Sequence, residues 1–92
     1  MNSETEGVNS SLKTGQIRRI SWDKAVWFYK RVEGGYYPTM FYADIEDVVI
    51  IIGFEKEKNV YTKDGSEFCS ILTKDGIKHS LSIFLDSYSV LL

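Results

Sequence analysis

One cysteine, one proline and one histidine are all that this 92-residue chain holds of those three types, and it has no run of about 18 apolar residues. Each scarcity excludes something. With Cys69 alone there is no intramolecular disulfide and no four-cysteine zinc site, which fits a reducing compartment. His79 has no histidine partner, so no metal site is expected. A formal charge of −2 implies neither a general affinity for nucleic acid nor an acidic mimic of it. The length excludes two domains. The first dozen residues are rich in Ser, Asn and Glu without an apolar centre. They read as neither signal peptide nor membrane anchor, so a cytoplasmic location is expected.

Catalytic chemistry is equally sparse. A hydrolase or transferase needs a nucleophile, a base and a group to orient them. Here the serines lack an elbow motif, and Cys69 falls mid-strand beside Phe68, where a buried inert thiol is expected. Asp44, Glu46 and Asp47 cluster without calcium-loop spacing and read as solvated acids. No catalytic residue, metal or cofactor is assigned, and the chain is read as non-enzymatic.

What the sequence does have is β-branched and aromatic side chains. Val48 to Phe54 is a nearly unbroken apolar run, suited to a central strand buried on both faces and extending to about Lys56. Gly53 falls where a bulge would bend it. Met1 to Lys13 reads as a flexible arm, with Val8 and Leu12 able to dock, and residues 14–92 as a single β-rich domain. Gln16 to Trp22 opens a partly regular strand with Ile17 and Ile20 out of phase. Ala25 to Val32 admits a helix capped by Ser21, or a strand after an Asp23-Lys24 turn. The strand is preferred, because a helix leaves Trp27 and Phe28 off its apolar stripe. Pro38 confines Tyr36 to Tyr42 to an edge strand or extended loop. Lys63 to Ser66 and Lys74 to Gly76 read as Asp-Gly turns, the second closing a hairpin between Glu67–Thr73 and Ile77–Ser80. Leu81, Phe84, Leu85 and Tyr88 then take helical spacing, with Ser80 or Ser82 as N-cap, before a closing strand from Ser89.

The expected fold is therefore mainly β: a small barrel or strongly bent antiparallel sheet with one short C-terminal helix. The opening strand at Thr14 to Arg19, the bent strand at Val48 to Lys56 and the short helix at Ser80 to Tyr88 together resemble small SH3-like β-barrel accessory proteins of tailed phages. That resemblance implies an inhibitor-like factor that binds a host or defence-system protein in the host cytoplasm.

Two binding modes follow from the residues. Tyr36, Tyr37, Phe41 and Tyr42, held near a surface by Pro38, are expected to meet a protein partner. Alternatively, Arg18, Arg19, Trp27, Tyr29 and Arg31 stack and neutralise a nucleotide, cyclic oligonucleotide or single strand. Trp22, Trp27 and Phe28 are more simply core. Basic residues crowd Lys13 to Arg31 and acids follow from Glu33 to Asp47, an arrangement that makes either two faces of opposite sign or hairpins that pair. A homodimer through the aromatic segment is a further expectation.

Overall fold

The computed structural model describes residues 12–92, so Val8 and all but the end of the expected arm lie outside it. Seven strands and one helix follow in order: β1 (Ile17–Ile20), β2 (Trp27–Val32), β3 (Gly35–Tyr42), β4 (Val48–Asn59), β5 (Asp64–Thr73), β6 (Gly76–Leu81), α1 (Ser82–Ser87) and β7 (Ser89–Leu91). They form one sheet in the order β3-β2-β6-β5-β4-β1-β7. Neighbouring strands run antiparallel, and one further parallel bridge, Tyr36 to Asn59, joins β3 to β4. That bridge turns five strands into a small barrel-like ring, with β1 and β7 extending the sheet beyond it. The Ala25–Val32 segment is not helical, and β2 runs over Trp27–Val32 of it.

The long strand β4 serves both parts because it bends. Its pairing with β5 shifts between Ile51 and Gly53, so Ile52 is the extra, bulged residue. The ring closes through Gly35, whose φ is +145° and whose position leaves no room for a side chain: a Cβ there would lie 2.1 Å from the Lys58 carbonyl oxygen. Val60 N–H donates to the Tyr36 carbonyl at 2.8 Å beside it.

Two apolar clusters lie on opposite faces of the sheet. Ile20, Val26, Val49, Ile51, Cys69, Ile71 and Leu85 build one, with Leu12 buried among them. Tyr29, Tyr36 and Phe68 fill the ring, closed by Leu81 and Phe84. Phe68 and Cys69 are consecutive on β5 and point into different clusters, as strand alternation requires.

Several expectations are corrected. The Val48–Phe54 run is buried on one face only: Val49 and Ile51 are buried, while Val48, Ile50, Ile52 and Phe54 are exposed. β-Branched content signalled a strand but could not report whether a second layer covers it. Trp22, at 62% exposure, and Trp27 lie outside the core, and only Phe28 packs against it. The β4–β5 turn is Val60 to Lys63, earlier than the Asp-Gly pair, with Asp64 and Gly65 inside β5. Asn59 decides this, since its side-chain Oδ1 accepts from Tyr61 N–H at 3.1 Å and Thr62 N–H at 3.3 Å. Neither serine caps α1. Leu81 is the N-cap residue, Ser80 Oγ instead donates to the Trp27 carbonyl at 2.8 Å, and Ser82 is buried within the first turn.

Candidate functional site

The hairpin β2–β3 has unequal arms, and the mismatch makes the most distinctive surface of the molecule. Tyr29 pairs with Pro38 and Trp27 with Tyr42. Between those pairs β2 has only Phe28, whereas β3 has Thr39, Met40 and Phe41. The surplus is pushed outward, leaving Met40 84% and Phe41 72% exposed. Thr39 pins this bulge: its Oγ1 donates to the Phe28 carbonyl at 2.7 Å and accepts from Phe41 N–H at 3.1 Å. The two apolar side chains are thus held out by the backbone rather than trailing from a loop.

Rings continue on either side. Trp27 meets Tyr42 edge-on at 5.7 Å between centroids, and Tyr37 meets Tyr61 at 6.1 Å. A shallow groove beside the bulge is lined by Phe28, Thr39, Phe41, Ile77 and Lys78, with Lys30 at its margin. The Lys78 ammonium lies 5.9 Å from the centre of the Phe28 ring. Neither Lys30 nor Lys78 makes an ion pair among the described residues.

Of the four residues expected to meet a protein, Tyr37 and Phe41 are exposed and Tyr42 is half-buried against Trp27. Tyr36 is corrected: at 1% exposure it is a core residue, stacked within 4.5 Å of Phe68. The Pro38 argument for edge placement holds for β3, but alternation sends Tyr36 inward. Met40 and Lys78 were missed, and Lys30 counts only among the basic residues of its segment. Nothing in the sequence shows that β3 is bulged, because that depends on which residues of two strands pair.

The five residues of the nucleotide reading are not brought together. Arg18 is buried, donating through Nε to Ser89 Oγ at 2.7 Å and through Nη2 to the Ser89 carbonyl at 3.1 Å. Arg19 lies 3.6 Å from Glu46. Arg31 lies on β2, which neither pairs with nor neighbours β1 in the sheet. It donates to Glu55 and to Tyr36 Oη, stands over the Tyr36 ring at 4.7 Å, and pairs with Glu57 at 3.7 Å. Tyr29 is buried in the ring. The acidic connector is likewise engaged within the chain, with Glu46 on Arg19 and both Asp44 and Asp47 3.3 Å from Lys74. Of these ion pairs, only Arg19 with Glu46 joins the basic segment to the acidic one; Arg31 turns to Glu55 and Glu57, and Asp44 and Asp47 to Lys74.

The ring's interior is polar at its mouth. Tyr36 Oη donates to Glu55 at 2.7 Å. That bond, with the Arg31 guanidinium, holds the Glu55 carboxyl below its ordinary range, while burial holds the Tyr36 phenol above its own. Burial and the nearby Arg31 charge push the His79 imidazole down. His79 Nδ1 hydrogen-bonds with Ser70 Oγ at 3.0 Å. Glu55 accepts from Arg31 and Tyr36, and the imidazole's hydrogen bond is to Ser70 rather than to Glu55. Cys69 is buried, and desolvation pushes its thiol up to about 11. Among the described residues no cluster of His, Cys, Asp or Glu is arranged to hold a metal ion, and no helix is long and apolar enough to cross a membrane.

Comparison with protein-family models, with curated proteins and with solved structures gives no match for this chain.

Proposed function

We propose that this chain is a non-enzymatic accessory protein that docks on another protein through the β3 bulge, with Met40 and Phe41 as anchors. The carrying observation is the pinning by Thr39. The backbone that presents these two large apolar side chains is already fixed, so no loop has to be ordered when they enter a pocket, and Met and aromatic residues are enriched in protein interfaces. Trp27 and Tyr37 widen the contact, while Lys30 and Lys78 select a partner with acids around an apolar depression. The resemblance to phage accessory barrels supplies the class of partner, a host or defence-system protein that this chain inhibits by occupying it.

The test is affinity capture from bacterial lysates, with identification of what is retained and titration of the purified partner. The double variant Met40→Ala/Phe41→Ala should weaken binding by about 2–4 kcal/mol, the range of buried hot-spot anchors. Thr39→Val keeps both anchors but removes the pin, and should weaken it less. Equal affinity for wild type and the double variant would end this reading.

A second reading, capture of a nucleotide or single strand, draws on one observation: Lys30 and Lys78, beside the Phe28 and Phe41 rings, make no ion pair among the described residues. A thermal-shift panel of nucleotides and short oligonucleotides separates the two, because ligand at 100 times Kd adds about 2.7 kcal/mol of stability. A shift abolished by Lys78→Ala and by added salt would favour the nucleotide.

A further inference from the structure

Across β7, β1, β4, β5 and β6 lies a surface of a different composition, which meets the groove beside the bulge at Ile77. Ile17 pairs with Ile50, Ile50 with Leu72, and Leu72 with Ile77. Leu92 N–H donates to the Ile17 carbonyl at 2.9 Å, which continues the β1–β7 register. Directly paired residues share a face, so Leu92, Ile17, Ile50, Leu72 and Ile77 form an uninterrupted aliphatic band across five adjacent strands. The next row on the same face adds Val90 and Val48, with Arg19 between them. All seven aliphatic side chains are 36–60% exposed. The face opposite is the buried cluster around Val49, Ile51 and Ile71, so this band is the uncovered side of a sheet already packed on its other side.

We infer that the band is the contact surface of a symmetric dimer, occupied by the same band of a second copy. Three observations select that occupant. The exposed aliphatic area is roughly 550 Å² per chain, at the upper end of what a free monomer displays. Doubled, it approaches the roughly 1,200 Å² at which stable interfaces begin, before any rim is added. The composition is that of a domain core cut in half, with Ile, Leu and Val and no aromatic residue. Obligate homodimers have that character, whereas the bulge, with Met, Phe, Trp and flanking lysines, has that of an exchangeable interface. Finally, the band carries charge of both signs, Arg19 with Glu46 in its second row and Lys74 with Asp44 and Asp47 close along the chain to Leu72 and Val48. A two-fold axis can set such a surface against itself without leaving like charges opposed.

The dimer so formed uses neither Met40 nor Phe41 and shares only Ile77 with the groove beside the bulge, so positions of the band other than Ile77 test it separately from what the bulge binds. Sedimentation equilibrium of the whole chain should give twice the 10.6 kDa chain mass, undiminished by high salt. Leu72→Lys should return the single-chain mass with an unchanged circular dichroism spectrum. Against the case that this variant misfolds, the mild replacements Ile17→Cys and Ile50→Cys, both outside the groove beside the bulge, report the face directly. Maleimide labelling at either position should slow by about tenfold or more from low to high micromolar protein, as mass action fills the interface, while Met40→Cys labels at one rate throughout. A single-chain mass for the wild type at high micromolar concentration would overturn the inference. So would a dimer in which Met40→Cys is protected and Ile50→Cys is not, since that would place the contact on the bulge.

Discussion

Replacing Gly35 with alanine tests whether the ring is closed by the approach of two backbones. The new Cβ would fall 2.1 Å from the Lys58 carbonyl oxygen and 2.9 Å from its carbon, both main-chain atoms that cannot swing aside. The φ of +145° adds a cost of roughly 1–3 kcal/mol for an L-residue. Relief requires β3 to lift from β4, which breaks the two hydrogen bonds of the Tyr36–Asn59 bridge, the Val60 N–H to Tyr36 carbonyl bond among them, at about 1 kcal/mol each. The expected loss is therefore about 3–5 kcal/mol, a large part of the roughly 5–15 kcal/mol that holds a domain of this size folded. Urea unfolding measures it. Gly65→Ala is the control, because a Cβ there meets nothing within 4 Å and its φ lies outside the left-handed range. It should change stability by less than about 1 kcal/mol. Hydrogen exchange adds a local reading: in Gly35→Ala the Val60 amide should lose protection before the β4–β5 amides do. If Gly35→Ala costs no more than Gly65→Ala, or if Val60 stays protected, the ring is not closed at this point.

Two further outcomes follow from the titrating groups. The Glu55 carboxyl is held below its ordinary value of 4.5 by Tyr36 and Arg31, so its contribution to stability is complete above about pH 4.5 and is lost as pH falls through the lower folded value. Acid titration of unfolding should show that decline, and Glu55→Gln should flatten it while leaving the slope above pH 5 unaltered, about half a unit past the ordinary carboxylate value. Cys69, buried and with its thiol raised to about 11, should resist thiol reagents at pH 8 and react only at the rate of unfolding; rapid native-state labelling would contradict its placement in the core.

How much of this was legible in advance depends on how local the cause was. Asp75-Gly76 and the flanking alternation give the β5–β6 hairpin directly, because two residues and a positive φ at Gly76 are sufficient for the turn. The aromatic run at Trp27 to Val32 reads as a strand, and Pro38 correctly marks β3 as having one side without a full ladder. The first Asp-Gly pair misleads, because the Asn59 side chain makes a competing turn three residues earlier. Gly53 draws attention as the bend, yet the bulged residue is its neighbour Ile52 and a Cβ on Gly53 would touch nothing. Gly35, which sequence presents as one more turn glycine, is the position where space is truly absent. The site fared similarly. Phe41 and Tyr37 are readable as surface rings from an edge strand. Tyr36, Met40 and the aliphatic band depend on pairings between strands far apart in the chain, and composition has no information on those.

The placement of Phe68 and Cys69 has a bearing on how the chain avoids misassembly. Most strands have one face to get right, so a slip by a single residue is opposed from one side only. β5 has two. Moved one position along β4, it would drive the Phe68 ring into the space a thiol now fills and leave the ring's interior lined by sulfur, with Tyr29 and Tyr36 facing a void. Each wrong alignment is thus penalised twice, by overpacking on one side and by a cavity on the other. A centrally placed strand guarded in this way acts as the template to which β4 and β6 align, and it leaves the outer hairpin β2–β3 free to vary its length, as its two surplus residues already show.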